Sequence, residues 1–158
     1  MAGNDNRTTP APTEPHPKLT ELIDRLSGRW RVKGLGIDGK AEYKSMREGL
    51  LLVMNVDFVV SGMEMKVIQH VTYNQHTDTL QADYMDTMGN KAIYTWVLDG
   101  QKLRVSLGEM DSKTFFEAKF NDDNSQYVGS WHYPDHVSHD AGDERIIYSR
   151  ISVKEAKE

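Results

Sequence analysis

The chain has 158 residues, 38% of them hydrophobic and 27% charged, with no cysteine and a formal net charge of −5. That is one domain's worth of chain, long enough to bury a sizeable core without a staple. The missing cysteine excludes disulfides, thiolate metal sites, iron–sulfur clusters and cysteine nucleophiles, and the acidic balance argues against a nucleic-acid groove, which needs a basic stripe.

Residues 1–17, MAGNDNRTTPAPTEPHP, hold four of the five prolines and almost no apolar side chains. Such a segment has too little to bury to offset its ordering entropy and reads as a disordered arm. It lacks the apolar centre of a secretory signal, so the expected location is cytoplasmic. No apolar stretch approaches the roughly 18 residues of a membrane helix, and no membrane partner is expected.

One short helix follows. Pro17 suits its start, and Leu19, Leu22, Ile23 and Leu26 recur at helical spacing. Gly28 supplies a stop.

From Gly28 the hydrophobic period becomes two. Turn signals then arrive at Asp38-Gly39, Gly49, Ser61-Gly62, Asn74 to Thr77, Gly89-Asn90, Asp99-Gly100, Asp111-Ser112 and Asn121 to Asn124, with a longer loop from Pro134 to Gly142. Between them lie ten strand-like runs: 28–36, 40–47, 50–60, 63–73, 78–87, 91–98, 102–109, 113–120, 126–133 and 144–153. Short strands at this spacing predict an all-β sandwich or barrel, and tight hairpins favour an up-and-down order. An open meander would leave two edges, so an antiparallel barrel of eight to ten strands is expected, with the helix across one end. The domain spans 18–153, and 154–158 reads as a solvated tail.

The pleat assigns faces. Charged Arg31 and Lys33 turn Trp30, Val32 and Gly34 inward. Glu42 and Lys44 do the same for Tyr43 and Ser45. Glu64 and Lys66 place Met63, Met65, Val67 and Gln69 inside. Leu80, Ala82 and Tyr84 oppose Gln81 and Asp83. Tyr94 pairs with Trp96, Trp131 with Tyr127 and Tyr133, and Tyr148 with Arg150. The interior is therefore rich in Tyr, Trp and the protein's eight Met. Such a lining suits a cavity for an apolar molecule with one or two polar handles. Tyr43, Met65, Gln69, Tyr84, Tyr94, Trp96, Trp131 and Tyr148 are the candidate ligand-binding residues. The alternative is a filled core, in which the outer face or the arm would bind a protein.

The run Gly28-Arg29-Trp30 after a helix, with Arg150 on the last strand, resembles the Gly-x-Trp signature of calycin barrels such as lipocalins and fatty-acid-binding proteins. The resemblance implies that Arg150 packs over Trp30 and closes the base. A closer likeness covers about 17–153. Gly62, Tyr73-Asn74-Gln75-His76-Thr77, Asp86-Thr87-Met88-Gly89, Trp96-Val97-Leu98-Asp99-Gly100, Trp131 and Tyr148-Ser149-Arg150 resemble the rhythm of a bacterial domain-of-unknown-function family of calycin-like barrels. A haem-binding nitrobindin-like barrel is similar at Gly28, Trp30 and Gly34. It departs at Val32, and the final strand has no histidine; His132 lies one strand earlier. No cofactor is expected.

Chemistry has few candidates. His132, His136 and His139 crowd a segment with Asp135, Asp140 and Asp143. Pro134 makes this a loop, so no metal site is expected there. His70 alternates with Lys66 and should face out unless a bulge turns it. Asp57 sits in a strand apolar on both faces, and Glu117 among Phe115 and Lys119. An inward Asp57 or His70, or Tyr94, would be the acid or base of a cofactor-free cyclase, isomerase or dehydratase acting on an apolar metabolite. There is no phosphate loop, no Gly-x-Ser-x-Gly elbow and no His-Glu-x-x-His. The leading expectation is a barrel that binds a small, mostly apolar ligand in its lumen; a homodimer is left open.

Overall fold

The computed structural model describes residues 14–134 and 144–151. The proposed arm up to residue 13, the loop residues 135–143 with His136 and His139, and everything from 152 on lie outside the described residues.

The helix α1 runs Pro17–Leu26. His16 Nδ1 caps it by accepting from the Lys18 amide at 3.1 Å, and Pro17, which has no N–H to leave unpaired, sits in its first turn. Leu19, Leu22 and Leu26 form its apolar stripe and are buried. Its outer face is left to charged residues such as Lys18, Glu21 and Asp24.

Ten strands follow: β1 Gly28–Gly34, β2 Ile37–Met46, β3 Leu51–Val60, β4 Met63–Asn74, β5 Thr79–Asp86, β6 Lys91–Asp99, β7 Lys102–Leu107, β8 Phe115–Phe120, β9 Gln126–His132 and β10 Ile146–Arg150. Each pairs antiparallel with its neighbour in sequence, and β1 closes on β10 through Trp30 opposite Arg150. Closure removes the two edges that an open meander would expose. The result is an all-β, up-and-down barrel that agrees with a calycin-like architecture.

One turn falls elsewhere than the sequence suggests. The first hairpin turns at Leu35-Gly36, both with positive φ, and Asp38-Gly39 lies inside β2. Gly39 is there for close approach rather than for turning. A Cβ on it would collide with the Asp57 carbonyl oxygen and Phe58 on β3.

The two ends of the barrel differ. At one end α1 packs against β2 through β6. Here the Trp30 indole donates to the Leu26 carbonyl at 2.8 Å. Arg150 lies over the Trp30 ring, 4.1 Å from its centre. The guanidinium also donates to the carbonyls of Ser27 (2.7 Å), Arg25 (2.9 Å) and Asn124 (3.1 Å). One side chain thus ties the helix end and the β8–β9 turn to the last strand. Trp30, Tyr127, Leu52 and Leu103 fill this half of the barrel. At the other end Leu35, Val59, Met63, Met88, Leu107 and Tyr133 stand exposed around the mouth. The inward face of β4 is the expected one, but Met63 and Met65 lie too near the mouth to be buried.

Candidate functional site

Alternation along the strands sends Tyr43 (β2), Met54 (β3), Gln69 (β4), Trp96 (β6), Phe116 (β8), Trp131 (β9) and Tyr148 (β10) into the lumen. There they surround a free volume of about 50 Å³. That is room for a small functional group, not for a whole metabolite, since ligand pockets start at roughly 300 Å³.

The floor of this cavity is polar. The hydroxyls of Tyr43 and Tyr127 bond each other at 2.7 Å. The Gln69 carbonyl oxygen accepts from the Trp96 indole at 3.0 Å. Gln69 is only 7% exposed, yet its amide nitrogen has no protein partner among the described residues. The Tyr148 hydroxyl likewise makes no hydrogen bond there.

The wall is a chain of ring contacts. Tyr84 meets Tyr94 at 5.4 Å between centres, Tyr94 meets Trp131 at 6.1 Å, and Trp131 meets Phe116 at 5.6 Å. Phe116 meets Tyr148 at 6.3 Å, and Tyr148 stacks on Tyr127 at 4.3 Å with planes 8° apart. Offset and edge-on arrangements of this kind stabilise each other beyond simple burial. Tyr84, Tyr94, Trp131 and Tyr148 are only partly buried, so among the described residues this half of the lumen is less covered than the base.

Electrostatically the site is neutral. Burial pushes the Tyr43 and Tyr127 hydroxyls well above the usual tyrosine range, and pushes Tyr148 up to about 12. Burial also raises Tyr94, and raises Tyr84 together with its bond to Asp86. All keep their protons at neutral pH. Asp86 sits at the rim and is held by its own turn. It accepts from Tyr84 (2.6 Å), the Met88 amide (2.9 Å) and both nitrogens of Asn90 (3.1 Å each).

The structure places two of the three proposed acid–base residues outside. Asp57 is exposed on the outer face between Lys40 and Lys66, with its carboxylate 3.8 Å from Lys66 Nζ. His70 pairs across strands with Val53 and Asp83 on that same outer side. Of the expected binding residues, Tyr43, Gln69, Trp96, Trp131 and Tyr148 line the cavity. Tyr84 and Tyr94 belong to the wall above it. Met65 lines a shallow groove with Asp57 and Lys66 rather than the cavity. Met54, Leu103, Val105, Phe116 and Tyr127 complete the cavity; Tyr127 is expected inside but not as a binding residue, and the other four are missing from the sequence expectation. Phe116 was findable: Glu117 and Lys119 on the outer face of β8 put Phe116, Ala118 and Phe120 inside.

Trp96 borders a second space as well. A cleft of about 130 Å³ opens beside α1, over Leu80, Leu98 and Met110, next to Lys18, Glu21 and Asp78. Among the described residues no three His, Asp or Glu side chains gather as a metal site requires. No helix among them is long and apolar enough to cross a membrane.

Neither the family models nor the curated proteins include a match to this chain.

Proposed function

We propose that the chain binds a small, mostly apolar molecule in the open half of the barrel. The observation that supports this is the polar floor. Gln69 turns amide hydrogens that no described residue accepts toward the cavity, where a ligand acceptor could take them. The aromatic wall above offers the apolar contact that would hold the rest of the molecule. With only about 50 Å³ free, the ligand puts its head in the cavity and lays its body along Trp131, Tyr94 and Tyr84 toward the mouth. The likeness to calycin-like barrels, and to the bacterial family among them, points the same way; that analogy is one of fold. On this reading the protein works in the cytoplasm and needs no cofactor.

The enzymatic alternative keeps little support. Of its three named groups Asp57 and His70 face away from the lumen, and only Tyr94 stands in the wall. Among the described residues the cavity's polar groups are tyrosine hydroxyls and one amide. Burial raises these hydroxyls, so none is a ready general base at neutral pH.

The test is a fluorescence titration with the neutral dye N-phenyl-1-naphthylamine. Saturable binding to the full chain is expected, weakened at least several-fold in Val105→Phe, which fills the cavity. Melting curves would check that the variant folds. Equal binding by both proteins would show that the dye sits elsewhere and would remove the support for a lumen site.

A further inference from the structure

The cavity floor offers hydrogens that no described residue accepts. Gln69 spends its carbonyl oxygen on Trp96, which leaves the amide hydrogens. Of the paired Tyr43 and Tyr127 hydroxyls, one donates to the other, so the receiving hydroxyl has its own hydrogen to give. The Tyr148 hydroxyl has no partner among the described residues and lines the same space. Three donors therefore converge on a volume the size of a small functional group.

No charge balances an ion there. Among the described residues neither a cation nor a carboxylate lines the cavity. Arg150 is engaged with Trp30 and three backbone carbonyls below the floor. A ligand carboxylate would find no cation in the lining to pair with, and an ammonium no carboxylate. A neutral carbonyl oxygen, with two lone pairs, accepts from two of the three donors at no such cost.

From this convergence we infer that the site selects ligands by a neutral carbonyl group, such as a ketone or ester, carried on an apolar aromatic body. This rests on the binding reading above and adds to it the chemistry of the ligand's head. The rings of Trp131, Tyr94 and Tyr84 stand where that body would lie.

Four ligands with one skeleton test it by calorimetric titration of the full chain: 2-acetylnaphthalene, 2-ethylnaphthalene, 2-naphthoate and 2-naphthylmethylammonium. The ketone is expected to bind about tenfold tighter than the hydrocarbon, the gain of one well-placed hydrogen bond. Both ions are expected to bind more weakly than the ketone. Tyr148→Phe removes no protein hydrogen bond and should shrink the ketone's preference to about threefold. The carbonyl stretch of the bound ketone should fall below its value in hexane, and by less in that variant. Ketone and hydrocarbon binding alike, with an unshifted stretch, would overturn the inference and leave the apolar site standing. A preference for naphthoate would overturn it too. If none of the four binds, the lumen is not a site for molecules of this kind and both readings fall.

Discussion

Replacing Arg150 with Met removes a guanidinium that joins three segments of chain. Three charge-assisted hydrogen bonds disappear, to Ser27, Arg25 and Asn124, along with the contact over Trp30. The Arg25 carbonyl keeps a partner, because the Asn124 side-chain amide also donates to it at 2.9 Å. The carbonyls of Ser27 and Asn124 lose the only donors that the side chain offered. Bonds to charged groups contribute about 1.5–3 kcal/mol each. The site is partly solvated and the bonds are not independent, so about 3 kcal/mol for the set is a fair sum. The cation over the indole adds about 0.5–1 kcal/mol. A total of about 3–4 kcal/mol corresponds to a melting temperature lower by about 6–16 °C in a domain of this size. Arg150→Lys should recover roughly half, since an ammonium keeps the charge over Trp30 but has no planar fork. Thermal unfolding followed by circular dichroism gives the two numbers. Hydrogen exchange gives the location: amides in α1 should exchange faster in the Met variant, while those of β4 and β5 stay protected. A loss under about 1 kcal/mol, or a Lys variant as stable as the original, would refute the three-bond account.

Other perturbations follow from the same geometry. In Gly129→Ala the new Cβ falls on the Glu117 carbonyl oxygen and comes within 2.6 Å of Ala118 Cβ, so β8 and β9 must separate. Overpacking of this kind costs about 1–3 kcal/mol, read as a lower denaturation midpoint, and an unchanged midpoint would deny the close approach. Gln69→Leu leaves the Trp96 indole N–H buried without its acceptor, at a cost of about 1–3 kcal/mol by denaturant titration. The Asp86 carboxyl is held below the usual carboxylate range by its bonds from Tyr84, Asn90 and Met88. Its contribution to stability is therefore full above the unfolded value of about 4 and lost as pH falls through the lower, folded value. Asp86→Asn should then destabilise the protein at pH 7 and make much less difference near pH 2; an equal gap at both would sink the linkage.

Much of the barrel was legible from residue order. Turn residues at nearly regular intervals gave ten strands, and the charges on one face of each strand gave its sides. Two kinds of feature resisted. At Asp38-Gly39 the residue pair has a strong turn preference, but Gly39 is needed inside β2, where Phe58 approaches closely. The turn lies instead at Leu35-Gly36, both with positive φ. The second is depth. Alternation puts Met65 and Gln69 on one face, yet Gln69 reaches the floor and Met65 the mouth. Depth depends on how far neighbouring strands are staggered, and one strand's sequence does not contain it. Asp57 shows a further limit. Its strand is apolar on both faces, and only Lys40 and Lys66, from the two adjacent strands, reveal which side takes a charge.

The division of the barrel into a sealed end and an open end bears on what the aromatic rings are for. Burial is most complete where α1, Trp30, Leu52 and Tyr127 pack together and Arg150 fastens the chain. The open half could be closed in the same manner by longer aliphatic side chains on β5, β6 and β9. It instead carries Tyr84, Tyr94 and Trp131, partly wet, beneath a rim that exposes Leu35, Met63, Leu107 and Tyr133. Each half-exposed ring forgoes burial worth about 25 cal/mol per Å² of apolar surface. A fold with a firm base can carry that loss. An apolar opening that leads down to an unfilled polar floor gives the loss a use, because a ligand would cover the rings and satisfy the donors together.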